Sequence, residues 1–170
     1  MFLLPQVMTV FLACVTFALG LAHALELPGK LRLDQATYCA VQTIYYPGFT
    51  IGGFAEVLGM IAAAALLVMT PTQSAAFLWT LTGFLGLAAN HAAYWLFTHP
   101  VNNFWLKGQN MTGFGDRFFK INALAPQGEG DQISEQAWKR LRNRWEYSHV
   151  LRALFSGVGL LALLVALALP

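Results

Sequence analysis

From Ala153 to Leu169 the chain carries no charged side chain, and three more stretches are built the same way. The apolar runs lie near Phe2–Ala22, Ile51–Met69, Ala76–Thr98 and Val150–Leu169, each close to the ~20 residues a helix needs to cross a hydrocarbon core. Inside lipid every backbone amide must find its partner within the segment, so such runs fold as helices. Composition agrees. Of 170 residues, 57% are hydrophobic and 11% charged, against about 25% charged in a soluble domain. The expected fold class is all-α: an integral membrane bundle of four transmembrane helices, forming one domain over residues 1–170. A formal net charge of +2 gives no case for nucleic acid. Cys14 lies in the first apolar run and Cys39 in a polar connection, so neither a disulfide nor a zinc site is expected.

Ala22-His23-Ala24 has the look of a small-residue cleavage site, but no Lys or Arg precedes Lys30. Without a basic n-region the first run is read as a retained helix rather than a signal peptide. The uncharged turn Thr70–Ser74 makes helices two and three a hairpin. All ten Lys and Arg then fall on one side of the slab or at its border. The positive-inside rule makes that side cytoplasmic and puts both termini outside in a multi-pass membrane protein. Leu33–Tyr46 reads as a short amphipathic helix at the interface, anchored by Tyr38, Tyr45 and Tyr46. Gly108–Asp131 reads as a loop. Asp131 or Ser134 caps a helix that begins near Ile133 and runs to Leu169, a cytoplasmic extension of the last span. Tyr94, Trp95, Trp105, Trp138, Trp145 and Tyr147 are placed as a belt at the same border.

The polar residues of the apolar runs gather in one half of the slab. Helix one ends at His23 and Glu26; helix two carries Glu56 near its start; helix three carries Asn90 and His91 near its end. The last helix opens with Glu146, His149 and Arg152, three residues apart, which at about 100° per residue places them on one face. Charged groups in such a place are costly unless partnered, so a common chamber is expected. Glu-x-x-His pairs with further Glu from other helices build di-iron and di-manganese sites in bundles. His23, Glu26, Glu56, His91, Glu146 and His149 are therefore candidate ligands for a transition metal (iron, manganese or copper), and a site with no cofactor is the other expectation. No flavin or nicotinamide motif is present. Depth favours a vestibule over one compact ligand set, since Glu56 and His91 fall ~8–10 Å below the interface and Glu26 and Glu146 at or outside it.

Structural readings stand beside these. Glu56 and Arg152 make a plausible buried ion pair, and His23 and His149 can be interfacial histidines. His99 before Pro100 reads as a helix boundary. Lys139–Arg144 reads as a face for anionic headgroups. Gly52, Gly53, Gly59, Gly83 and Gly86 read as close-packing positions.

Four segments carry a resemblance: His23-Ala-Leu-Glu-Leu-Pro-Gly-Lys-Leu-Arg-Leu-Asp34, Tyr45-Tyr-Pro-Gly-Phe49, His99-Pro-Val-Asn-Asn103 and Arg144-Trp-Glu-Tyr-Ser-His-Val-Leu-Arg-Ala153. Together they resemble a family of small four-helix bacterial membrane proteins of unknown function, grouped with the fungal anthrone oxygenases. The stretch Gly/Asn-rich between Asn103 and Trp138 departs from the family pattern. The resemblance implies oxidation of a phenolic, polycyclic substrate by O₂ without flavin or haem, and extends the polar role to His23, Glu26, Asn103, Trp145, His149 and Arg152. In that chemistry a base removes an acidic proton and the resulting anion reacts with O₂. His149, oriented by Glu146 or Glu26, is the expected base. Arg152 would hold the oxyanion, with Asn90, Tyr94, Trp95, Asn103 and Trp145 as substrate contacts.

The function expected is an O₂-dependent membrane oxygenase or oxidoreductase acting on a small aromatic, phenolic or quinone-like molecule near the cytoplasmic face. Its partners are membrane lipid and that molecule, with homo-oligomerisation left open. The alternative is a non-enzymatic membrane subunit or binding module whose buried charges are structural. A transporter is disfavoured, because one half of the slab has almost no polar groups.

Overall fold

The computed structural model describes residues 3–45, 47–105 and 134–169, with 103–105 described by their backbone. Among these residues all regular structure is helical. Helix α1 is Leu3–Lys30. Helix α2, Gln35–Gln42, starts where Asp34 accepts the Thr37 N–H at 2.8 Å and runs into a 3₁₀ turn, Thr43–Tyr45. Helix α3 is Gly48–Met69 and α4 is Ala76–Ala93. A π turn, Tyr94–Thr98, leads into α5, His99–Trp105. Helix α6, Glu135–Ala168, has 34 residues and starts at a Ser134 side chain that accepts from the Ala137 N–H. At 1.5 Å per residue α6 is about 51 Å long. The expected Gly108–Asp131 loop, the Asp131 cap and Tyr46 lie outside the described residues.

Helices α1, α3 and α6 are long and apolar enough to cross a membrane. Helix α4 stops short at Ala93 because of Pro100. That residue has no N–H for the Leu96 carbonyl, and its ring crowds the same oxygen. The ladder adjusts by one residue: the His99 N–H bonds the Tyr94 carbonyl five positions back. The freed Leu96 carbonyl accepts from the Arg144 guanidinium at 2.7 Å. His99 is thus no boundary residue; it is buried within a continuing helix, and the disturbance lies upstream as a π bulge.

Helix α6 packs along α1 and α4, while α3 packs mainly on α1. Toward the Pro71 turn the core is Ala13, Ala63, Leu66, Leu87 and Leu163. There α4 and α6 meet backbone to backbone, since a Cβ on Gly86 would sit 2.7 Å from the Gly159 Cα. At the other end Tyr38, Val101, Trp138 and Trp145 form a second cluster. Helix α2 belongs to it. Tyr38 is 0% exposed, so it packs inside the bundle and does not serve as the interface anchor expected of it. The basic run divides likewise: Arg142 is buried on the Trp138 ring and donates to the Leu31 carbonyl, and Lys139 pairs with Glu135.

Candidate functional site

Helix α1 continues past Ala22 through Pro28, so His23, Glu26 and Lys30 share one helical face. Lys30 is buried, at 4% exposure. Its Nζ lies 2.8 Å from Glu26 Oε2, 3.7 Å from Glu146 Oε1 and 3.3 Å from His23 Nδ1. The ammonium also sits 4.6 Å over the Tyr45 ring and 5.0 Å over that of Trp145, a cation–π arrangement that favours a desolvated cation. Two phenols complete the group: Tyr45 donates to Glu26 at 2.5 Å and Tyr38 to Glu146 at 2.7 Å. Burial first, and then the carboxylate each faces, push both phenols well above their ordinary range, so they remain donors.

A second polar group joins α3, α4 and α6. Arg152 donates to Glu56 Oε2 at 2.6 Å, and His91 Nδ1 lies 2.9 Å from Glu56 Oε1. The Trp95 indole donates to His91 Nε2 at 2.9 Å. Since that nitrogen accepts, the His91 proton is on Nδ1 and is given to Glu56. The ion pair expected between Glu56 and Arg152 is present. Arg152 also lies 3.4 Å from His149 Nδ1. A guanidinium only donates, so that nitrogen accepts and His149 carries its proton on Nε2. This Nε2 is buried and has no hydrogen-bond partner among the described residues.

Between the two groups the His23 and His149 rings lie 4.1 Å apart, with Trp145 4.3 Å from His149. Tyr45 and Phe49 pack on His23 at 4.5 Å each. These rings, with Tyr94, Val57, Gly53, Gln42, Asn102 and Arg152, line a cavity of about 140 Å³. An apolar cavity of about 150 Å³ accepts benzene, so the space holds one ring.

Of the residues singled out by sequence, His23, Glu56, His91, Tyr94, Trp145, His149 and Arg152 line the cavity. Glu26 and Glu146 stand behind its wall. Glu146 does not orient His149; its carboxylate goes to Tyr38 and Lys30, because residues three apart on α6 here face different neighbours. Asn90 is buried outside the lining, and Trp95 is 42% exposed and serves His91. The side chain of Asn103 lies outside the described residues. Its neighbour Asn102 lines the cavity and accepts the Trp145 indole N–H at 2.7 Å.

The six candidate metal ligands do not form one donor set. Among the described residues no group of three or more His, Cys, Asp or Glu side chains is placed to hold a metal ion. The cations already against the carboxylates are Lys30 on Glu26 and Glu146, and Arg152 on Glu56. Lys30, Phe49 and Asn102 are not among the candidate site residues read from the sequence, and Tyr38 and Tyr45 stand there only as interface anchors. Pro28-Gly29 mimics a helix end and hides Lys30, whereas the seven-residue spacing of Tyr38 and Tyr45 is a usable signal for one shared face. No protein-family model, curated protein or solved structure matches the chain.

Proposed function

We propose that this protein is a membrane-embedded oxidoreductase of the anthrone-oxygenase type, which binds one ring of a phenolic or quinone-like molecule in the cavity that His23 and His149 line side by side. The observation that carries the reading is the unpartnered Nε2–H of His149, buried in an aromatic-walled cavity beside Arg152. A buried donor without an acceptor costs about 1–3 kcal/mol, and a ligand oxygen recovers that loss. The ligand therefore presents a carbonyl, phenolate or enolate oxygen.

In this reading His149 stabilises the anion rather than forming it, because Arg152 holds its lone-pair nitrogen away from the ring. The proton acceptor is the neutral His23 imidazole. Its Nδ1 lies 3.3 Å from Lys30, so proton transfer requires the ring to turn that nitrogen from Lys30 to the ligand. For an anthrone-type methylene the balance is simple. The carbon loses two hydrogens, one oxygen atom of O₂ ends on carbon and the other leaves as water.

The reading takes α4 with its π turn as a fourth membrane crossing, puts the Lys- and Arg-rich end in the cytoplasm and the protein in a bacterial inner membrane. A form using iron, manganese or copper would require a metal to displace Lys30 from its two carboxylates. The second reading, a non-enzymatic subunit or binding module, draws on Glu56, whose two oxygens are both bonded to protein.

The test is O₂ uptake and anthraquinone formation with anthrone by the purified protein in nanodiscs, with elemental analysis of the same sample. Turnover should fall by at least about 100-fold in His149→Ala with helicity unchanged, a loss of the size seen for an oxyanion donor. Absence of ring binding in the wild-type protein would leave the structural reading.

A further inference from the structure

The cavity is not walled equally on all sides. His23, Gln42, Tyr94, Trp145 and His149, contributed by α1, α2, α6 and the π turn, are buried. On α3 the lining residue Glu56 is buried, Phe49, Thr50, Gly52 and Gly53 are half-buried, as Leu19, Tyr45, His91 and Arg152 are on other elements, and Val57 is the one exposed residue of the described lining. The opening therefore runs along α3. Gly53 sits in it, since a Cβ built there meets no atom within 4 Å, whereas one on Gly52 would lie 2.6 Å from the Leu19 side chain. The two glycines have different duties. Gly52 lets α1 approach, and Gly53 leaves space.

The gap does not lie at the end of α3. Gly53 is five residues into a helix of 22, about 8 Å along its axis, and is flanked by exposed apolar side chains. Ile51 is 65% exposed, Phe54 49%, Leu58 53% and Ile61 58%. Helix α3 is one of the helices apolar enough to cross a bilayer, so a mouth at this height looks onto acyl chains. The polar side chains of the lining, among them Gln42, Asn102, His149 and Arg152, stand mostly on the walls opposite Gly53 and Val57, with Thr50 and Glu56 on α3.

We infer that the cavity takes its ligand sideways from the membrane, and that the ligand is an amphiphile: an oxygen-bearing ring with an alkyl or prenyl tail. The ring enters the cavity against His23 and His149, and the tail leaves past Gly53 along the apolar face of α3. The inference rests on the proposed ring site and adds to it the substrate class and the route of entry.

The experiment uses the full chain in nanodiscs and compares tritiated decylbenzoquinone with tritiated unsubstituted benzoquinone, each expressed as mole fraction in lipid after subtraction of empty discs. The tailed probe should bind at least tenfold more tightly. Gly53→Leu should remove that advantage, and Gly53→Ala, which meets no neighbour, should reduce it while leaving thermal unfolding unchanged. A diazirine on the tail should label Phe54 or Leu58. Equal affinity of the two probes, insensitive to Gly53→Leu, would overturn lateral entry while leaving the ring site standing. Failure of both probes to bind would remove the ring site and this inference together.

Discussion

The two halves of the bundle solve the same packing problem by opposite means. Toward the Pro71 turn, α4 and α6 touch at Gly86 and Gly159, and buried Thr9, Thr16 and Thr80 return their hydroxyls to carbonyls four residues back on their own helices. Nothing polar there needs another helix. In the other half polar side chains are bonded from elsewhere in the chain: Tyr38 to Glu146, Glu56 to Arg152 and His91, Trp145 to Asn102. The first half is held by close contact and tolerates no added volume. The second is held by directed bonds and leaves a cavity. Small residues let helices associate without a hydrophobic driving force, whereas buried charges fix which helices face each other at the cost of desolvation.

That contrast is sharpest at Arg152. Arg152→Leu should leave Glu56 buried without its charge partner and cost about 3–5 kcal/mol, while Glu56→Leu with Arg152→Leu together should recover most of that loss. Unfolding in mixed micelles measures both. A double variant as unstable as the single one would show that the pair does not define this half.

The next effect belongs to the close-packed half. Gly86→Leu places a side chain against the α6 backbone and should cost about 1–3 kcal/mol or more by overpacking. The same change at Gly53 should leave the melting temperature almost unmoved. Equal losses at the two sites would erase the distinction between the halves.

The smallest effect lies at the entry to the charged half. The Thr37 N–H holds the Asp34 carboxyl below its ordinary value of 3.8. A depressed carboxyl contributes stability that is present above the unfolded value and lost as pH falls through the lower folded one. Acidification below about pH 3.8 should thus fray α2 in the wild-type chain, and Asp34→Ala should abolish that dependence, read by far-ultraviolet circular dichroism. An unchanged acid profile in Asp34→Ala would place the transition at other carboxylates.

Reading along the chain alone finds the apolar runs, Ser134 as one of two candidate caps of α6, the packing role of Gly83 and Gly86 and the Glu56–Arg152 pair. Each follows from run length, local spacing or the cost of a lone charge in an apolar setting. The same reasoning stops α1 too early. Pro28-Gly29 is a local stop signal, but when the helix continues Lys30 gains Glu26 one turn back and, from elsewhere in the chain, Glu146 and the faces of Tyr45 and Trp145. It also turns Tyr38 and Tyr45 outward, where a short amphipathic segment would put them, because nothing nearby announces Glu26 and Glu146 as their acceptors.

What the sequence determined by itself is the all-helical character, the apolar lengths and the segregation of charge to one end. Periodicity and hydrocarbon thickness fix these without reference to any other segment. Only the tertiary structure decided that Glu26 and Glu146 share Lys30, that the buried Nε2 of His149 has no partner among the described residues, and that Gly53 stands open while Gly52 is closed. Those outcomes depend on side chains brought together from distant segments within a few ångströms, and at that range hydrogen-bond geometry and steric contact select among partners that are equivalent along the chain.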